Sequence, residues 1–253
     1  VTITFLGTGT SQGVPVIACD CEVCTSADAK DKRLRSSVML EGGGKVIVID
    51  SGPDFRYQML REKVKHLDAI VFTHEHKDHV AGMDDIRAFN YRQQSAIDVY
   101  ATERVQAALK HEFHYIFHEF KYPGIPQIAL HTIDNSPFNI GDVRLIPIEV
   151  MHYKLSVLGF RINDFTYITD AKTIAEAEVE KIRGSKILVI NALQKEAHIS
   201  HFTLDEAIAF AENIGAEQTY FTHISHRLGK HEDVSVLLPP GIHLAWDGMK
   251  LEI

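Results

Sequence analysis

The chain has 253 residues, is 45% hydrophobic and 24% charged, and carries a formal net charge of −8 at pH 7. That composition supports one large core or two small ones, and it argues against a protein that coats nucleic acid, which would show a basic stripe. No apolar run approaches the roughly 20 residues needed to cross a bilayer, so no membrane span is expected.

In chain order, short β-branched runs bounded by Gly, Pro, Asn and Asp predict strands over Val1–Leu6, Ser37–Leu40 and Val46–Ile49. Gly42, Gly43 and Gly44 form the expected hairpin turn between the second and third. The opening VTITFLGTGT thus reads as a strand and not as a signal peptide. A fourth strand, Asp68–Phe72, is apolar enough to be buried on both faces. Later strands are predicted at Asp98–Ala101, Ile128–His131, Val143–Val150, Ser156–Ile162, Phe165–Thr169, Lys186–Ile190 and Gln218–Phe221. A last pair falls at His243–Trp246 and Met249–Ile253. Helical spacing covers Asp54–Lys63, Thr102–Phe120 with a break inside, Thr173–Ile182 and Thr203–Ile214. Thr173 with Glu176, and Thr203 with Glu206, both have the capping-box spacing. With no linker and no repeat, a single α/β domain over residues 1–253 is expected.

The stretch His74-Glu75-His76-Lys77-Asp78-His79 directly follows the buried strand. In extended backbone, positions i and i+2 project to one side, so His74 and His76 can converge on one cation. If the chain then turns, Asp78 and His79 face a second. Imidazoles with a carboxylate suit zinc, manganese or iron, and ion pairs roughly 3.5–4 Å apart are a common hydrolytic device.

This stretch resembles the H-x-H-x-D-H signature of the metallo-β-lactamase-fold hydrolases, and the rest of that family's pattern can be followed along the chain. The resemblance implies a four-layered αββα sandwich of two mixed sheets and two divalent ions, manganese or zinc, at the active site. It places His152, the bridging Asp170 and His223 beside His74, His76, Asp78 and His79 as ligands. The Asp50-Ser51-Gly52-Pro53 segment is similar to the turn that borders the site in relatives. Two ions opposed by Asp78, Asp170 and a hydroxide leave the cavity slightly positive, which suits an anionic substrate within an acidic protein. Hydrolysis through hydroxide bridging the ions is the implied chemistry, with Asp78 counted among the catalytic residues.

Zinc β-lactamases of the common type use a cysteine at the second metal, where this chain has Asp170. His201, just before the helix expected at Thr203, matches the extra histidine of the phosphodiesterase branch, a general acid or hydrogen-bond donor near the scissile phosphate. His198, three residues earlier, has no such match and is read as surface.

The three cysteines, Cys19, Cys21 and Cys24, are too few and too close for a disulfide framework, and a reducing cytoplasm is the simplest address. Three thiolates suggest a zinc knot but do not close a tetrahedral site. Together with Gly7-Thr8-Gly9-Thr10-Ser11-Gln12-Gly13-Val14-Pro15, they resemble the phosphoribosyl cyclic phosphate phosphodiesterases of phosphonate breakdown. That resemblance supplies His226, three residues after His223, as fourth ligand of a structural zinc. It also implies a homodimer, for which the residues give no independent argument.

His111, His114 and His118 read as the polar edge of a helix. The aromatic-rich segment from Phe89 to Tyr122 reads as lid, dimer face or ordinary core, and Arg87, Arg92 and Arg227 are candidates to meet a second phosphate. The expectation is a metal-dependent phosphodiesterase acting on a small, cyclic diester. Its rivals are a tRNA 3′-processing endonuclease, for which no basic arm is visible, and a non-catalytic cofactor-biosynthesis relative, against which the full ligand set counts.

Overall fold

The computed structural model describes residues 1–118 and 122–253. The first sheet begins with β1 (Thr2–Gly7), β2 (Ser37–Gly42), β3 (Lys45–Ile49), β4 (Ala69–Val71), β5 (Ile97–Ala101) and β6 (Ile128–Thr132), side by side in that order. The second contains β7 (Phe138–Ile140), β8 (Val143–His152), β9 (Leu155–Ile162), β10 (Phe165–Tyr167), β11 (Thr173–Ile174), β12 (Ile187–Asn191), β13 (Gln218–Thr222) and β14 (Ile242–Leu244). Its order is β11-β8-β9-β10-β12-β13-β14, with β7 paired to β8. The last strand, β15 (Lys250–Glu252), returns to the first sheet and pairs antiparallel with β1. Both sheets are mixed: β2–β3 and β8–β9 are antiparallel, while β3–β4–β5–β6 and β10–β12–β13–β14 are parallel.

Strand alternation explains the four layers. In β3, Ile47 and Ile49 enter the core between the sheets, while Val46 and Val48 face outward onto helices. In β12, Val189 faces inward, and Leu188 and Ile190 face the other helical layer. The outer layer on the first sheet includes α1 (Phe55–Arg61), the short α2 (Lys77–Val80), α3 (Arg87–Gln93), α4 (Glu103–Glu112) and α5 (His114–Phe117). On the second sheet lie α6 (Glu176–Ile182), α7 (Leu204–Ile214) and α8 (His231–Ser235). This is the αββα sandwich expected. No helix among the described residues is long and apolar enough to cross a membrane.

The hairpin between β2 and β3 is tighter than expected. Gly42 is already paired with Lys45, leaving Gly43 and Gly44 at φ 58° and 69° as a two-residue turn that favours glycine at both places. The helix expected from Thr102 breaks at Phe113, and its expected end at Phe120 lies outside the described residues. Within the aromatic-rich segment, Phe89, Phe113 and Ile116 are core, whereas Tyr91 and Tyr122 are exposed. His111, His114 and His118 are all exposed.

One cap is corrected. Thr203 and Glu206 form the full reciprocal capping box, but Thr173 does not start a helix. Thr173 and Ile174 pair with Met151 and Val150, and α6 begins only after Ala175. The sheet edge had already claimed the backbone that a cap at Thr173 would have needed.

Candidate active site

The candidate site lies where loops leave the C-terminal ends of strands in both sheets. From the first sheet come Asp50, directly after β3, and His74, His76, Asp78 and His79, after β4. From the second come His152, which ends β8, Asp170 after β10, His201 before α7, and His223 directly after β13. Asp50, Asp170 and His223 have φ of 65°, 58° and 55°, a left-handed conformation that is costly for non-glycine residues. Each strand therefore ends in a sharp bend that aims a polar side chain at the seam.

The turn carrying Asp78 packs against the Asp50 turn with no room to spare. A Cβ on Gly52 would lie 2.0 Å from the Asp78 carbonyl oxygen, so only glycine lets these two turns meet.

The structure brings together every histidine and aspartate expected at the two-ion centre. Ring centroids of His74, His76 and His152 lie 4.6, 5.2 and 6.0 Å apart pairwise. Donor atoms of Asp78, His79, Asp170 and His223 all lie within 4.8 Å of one another, as do those of His152, Asp170 and His201. Asp170 belongs to both groups. His74, His79, Asp170, His201 and His223 are buried, while His76 lies exposed at the rim.

Hydrogen bonds fix the tautomer of four imidazoles. The His79 Nδ1–H donates to Asp50 Oδ2 at 2.7 Å, and the His152 Nδ1–H donates to the Ser200 carbonyl at 3.0 Å. Thr73 Oγ1 gives its proton to Asp50 and so accepts from His74 Nδ1 at 3.0 Å. Ser36 Oγ gives its proton to the Gly9 carbonyl and accepts from His223 Nδ1 at 3.1 Å. In each case the proton sits on Nδ1 and Nε2 keeps its lone pair, which is the arrangement a metal-binding histidine needs; His223 Nε2 accepts from Thr10 Oγ1 at 3.3 Å. His74 Nε2 and His79 Nε2 are buried with no hydrogen-bond partner. These orphaned atoms beside two carboxylates fit a cation.

The electrostatics agree. Burial disfavours the charged forms of His74, His76 and His223 and holds all three below the ordinary imidazole range. For His79 burial acts the same way, but Asp78, Asp50 and Asp170 outweigh it and hold the pKa well above that range. His79 Nε2 lies 3.1 Å from Asp78 Oδ2 and 3.2 Å from Asp170 Oδ2. The site thus demands positive charge at this point, which a proton or a divalent ion can supply. Burial would raise Asp78 and Asp170; His79 for the first, and His223 with His79 for the second, overcome it and keep both carboxylates ionised.

His201 is buried, its Nδ1 3.9 Å from Asp170 Oδ1 and without a hydrogen-bond partner. Burial, then His223, lowers its pKa to about 3, so the ring is neutral near pH 7. His198 is not simply surface: it is half-buried, its ring 5.1 Å from that of His201.

The cysteine cluster assembles around His226. Sγ of Cys19, Cys21 and Cys24 lie 3.3, 3.4 and 3.5 Å from His226 Nδ1. The Cys24 amide donates to Cys21 Sγ and draws that thiol down to about 6, while burial pushes Cys24 up to about 11. Three thiols and one imidazole at this separation fit a tetrahedral zinc.

Of the three arginines singled out, Arg227 lines a pocket of about 200 Å³ on the Thr10 side of the site. Arg87 pairs with Asp84 and Arg92 donates to the Lys65 carbonyl, which leaves both on the α3 face. The sequence reading missed Ser36, Thr73, Thr169 and the Ser200 carbonyl, which orient the ligands. Only Thr73, next to the signature, had a position that could have revealed it.

The β-lactamase superfamily domain pattern matches residues 45–224, which contain all seven of these candidate ligands. The chain belongs to the metallo-β-lactamase superfamily. A solved structure described as a new diphosphatase from the PhnP family is 44% identical, with a TM-score of 0.93 over 100% of this chain and 97% of that one. An octanoyltransferase of Porphyromonas gingivalis is 39% identical over 249 residues, 97% of this chain. The chain spans about half the length of that curated relative. Zinc-bound PqqB of Methylobacterium extorquens, 19% identical with a TM-score of 0.81 over the whole of both chains, shares the fold.

Proposed function

We propose that this superfamily member is a metal-dependent phosphodiesterase acting on a small, cyclic phosphodiester. The observation that carries this reading is the set of four imidazoles held with the proton on Nδ1, converging with Asp78 and Asp170 beside the buried, neutral His201. His74, His76 and His152 would hold one divalent ion; Asp78, His79 and His223 would hold the other, with Asp170 between them. A pair of divalent ions, manganese or zinc, ionises a water molecule at neutral pH and offsets phosphate charge.

The chain's own residues do the rest. Asp50 holds His79 in register, and Thr73, Ser36 and Ser200 do the same for His74, His223 and His152. His201 is neutral in the free site; the negative charge of an arriving phosphate would favour its protonated form, which can then donate to the departing oxygen. Cys19, Cys21, Cys24 and His226 would hold a separate structural zinc.

The diphosphatase named among the relatives supports phosphoester chemistry. The acyl-transfer name is not carried across, because half of that protein lies outside the match and all three thiols here crowd one imidazole. The test is hydrolysis of bis(p-nitrophenyl) phosphate with added manganese, followed by a panel of cyclic phosphates and a 3′-extended tRNA. Turnover of the cyclic diesters that disappears in His76→Ala supports the reading. No turnover by metal-loaded protein removes it, and cleavage of the tRNA alone replaces it with the endonuclease.

A further inference from the structure

The mouth of the site has an unusual wall. His152 pairs with Leu155, so Tyr153 and Lys154 form a two-residue turn between β8 and β9. Tyr153 sits at φ 59°. The first place in such a turn ordinarily goes to Gly, Asn or Asp, which accept positive φ at little cost; a bulky aromatic there is a backbone outlier. Burial does not compensate for it, because Tyr153 is 53% exposed. Ile199, 65% exposed, is a second large apolar side chain at the same mouth. Both border a pocket of about 450 Å³ whose lining includes His76 and His152. Lys154 Nζ stands 5.3 Å from the Tyr153 ring centroid.

Backbone outliers of this kind gather at ligand clamps, where another molecule repays the strain. The pocket's volume is that of a small-molecule site. Tyr153 and Ile199 each leave more than half their surface in water, so the slot is open-sided. An alkyl chain would stay half wet there, whereas a flat ring covers Tyr153 by stacking and presents its polar edge to Lys154 and Ser200. Lys154 also brings positive charge toward a phosphate held between His76 and His152.

We propose that Tyr153, with Ile199 and Leu155, is a stacking subsite for the planar base of a nucleotide substrate. The inference rests on the phosphodiesterase reading and narrows its substrates to base-bearing diesters.

The decisive variant is Tyr153→Gly, which deletes the ring while giving the turn the residue it favours, so its melting temperature should be no lower than that of the parent. The ratio of kcat/KM for 2′,3′-cyclic AMP to that for glycerol 1,2-cyclic phosphate should fall about tenfold, equivalent to ~1.4 kcal/mol. Tyr153→Phe should retain the ratio. An unchanged ratio in Tyr153→Gly, including an equal loss on both substrates, overturns the proposal. A second readout needs no turnover: by calorimetry the metal-loaded parent should prefer AMP to ribose 5-phosphate about tenfold, and Tyr153→Gly should lose that preference. If the parent hydrolyses neither cyclic phosphate, the phosphodiesterase reading fails, and calorimetry alone decides the subsite. A preference that depends on Tyr153 keeps it, and none removes it.

Discussion

The two clusters of metal-binding side chains are built in opposite ways. The histidine–aspartate centre is drawn from strand ends of both sheets, and His74, His79 and His223 are aimed by hydrogen bonds to buried side chains, Asp50 above all. Cys19, Cys21 and Cys24 sit on a loop without regular strands or helices, in a small apolar cluster with Val14, Val16 and Val23. The first cluster is made by the fold. The second makes its own loop, because there is little apolar burial to hold that segment otherwise.

This contrast can be broken or sharpened by substitution. The largest effect is expected for Asp170→Asn, which removes the carboxylate shared by both halves of the centre. Hydrolysis of bis(p-nitrophenyl) phosphate should fall to background, and elemental analysis should show depleted metal. His201→Ala should lower kcat by about 10²–10⁴-fold with metal content intact, since it touches the proton and not the ions. Equal loss of metal in this variant would make His201 a ligand instead. Asp50→Asn should weaken metal binding about 10–100-fold, read by chelator competition, because it acts on the ions only through the far side of His79 and, by way of Thr73, of His74. The smallest effect on turnover is expected for Cys21→Ser. One ion fewer per chain, faster proteolysis in the Cys loop and a kcat close to that of the parent would confirm the separation. A Cys21→Ser protein that also loses its catalytic ions would show the two clusters to be coupled.

What could be read from the sequence follows the same division. The short strand runs, the glycine turn and the signature from His74 to His79 are local patterns, so a single α/β domain and one wall of the site were legible, while the four-layered sandwich came from the family resemblance. His152, Asp170 and His223 have no local mark and came from the family resemblance alone. Side chains that orient ligands were invisible because their role depends on contacts across the seam. Ser36 meets His223 at a separation of 187 residues. The capping-box spacing occurs twice with opposite outcomes. At Thr203 nothing competes for the backbone, whereas at Thr173 the edge of β8 does. The outlier at Tyr153 was equally hidden, since no composition rule places tyrosine where a turn wants glycine.

Asp170 and His223, which face His79 across the seam, lie far after it along the chain. Contacts of such long span close only once both halves have docked, on the native side of the folding barrier. An ion gripped there would leave the speed of folding almost untouched and slow the escape from the folded state. Loading would then set how long each molecule lasts more than how quickly it is made.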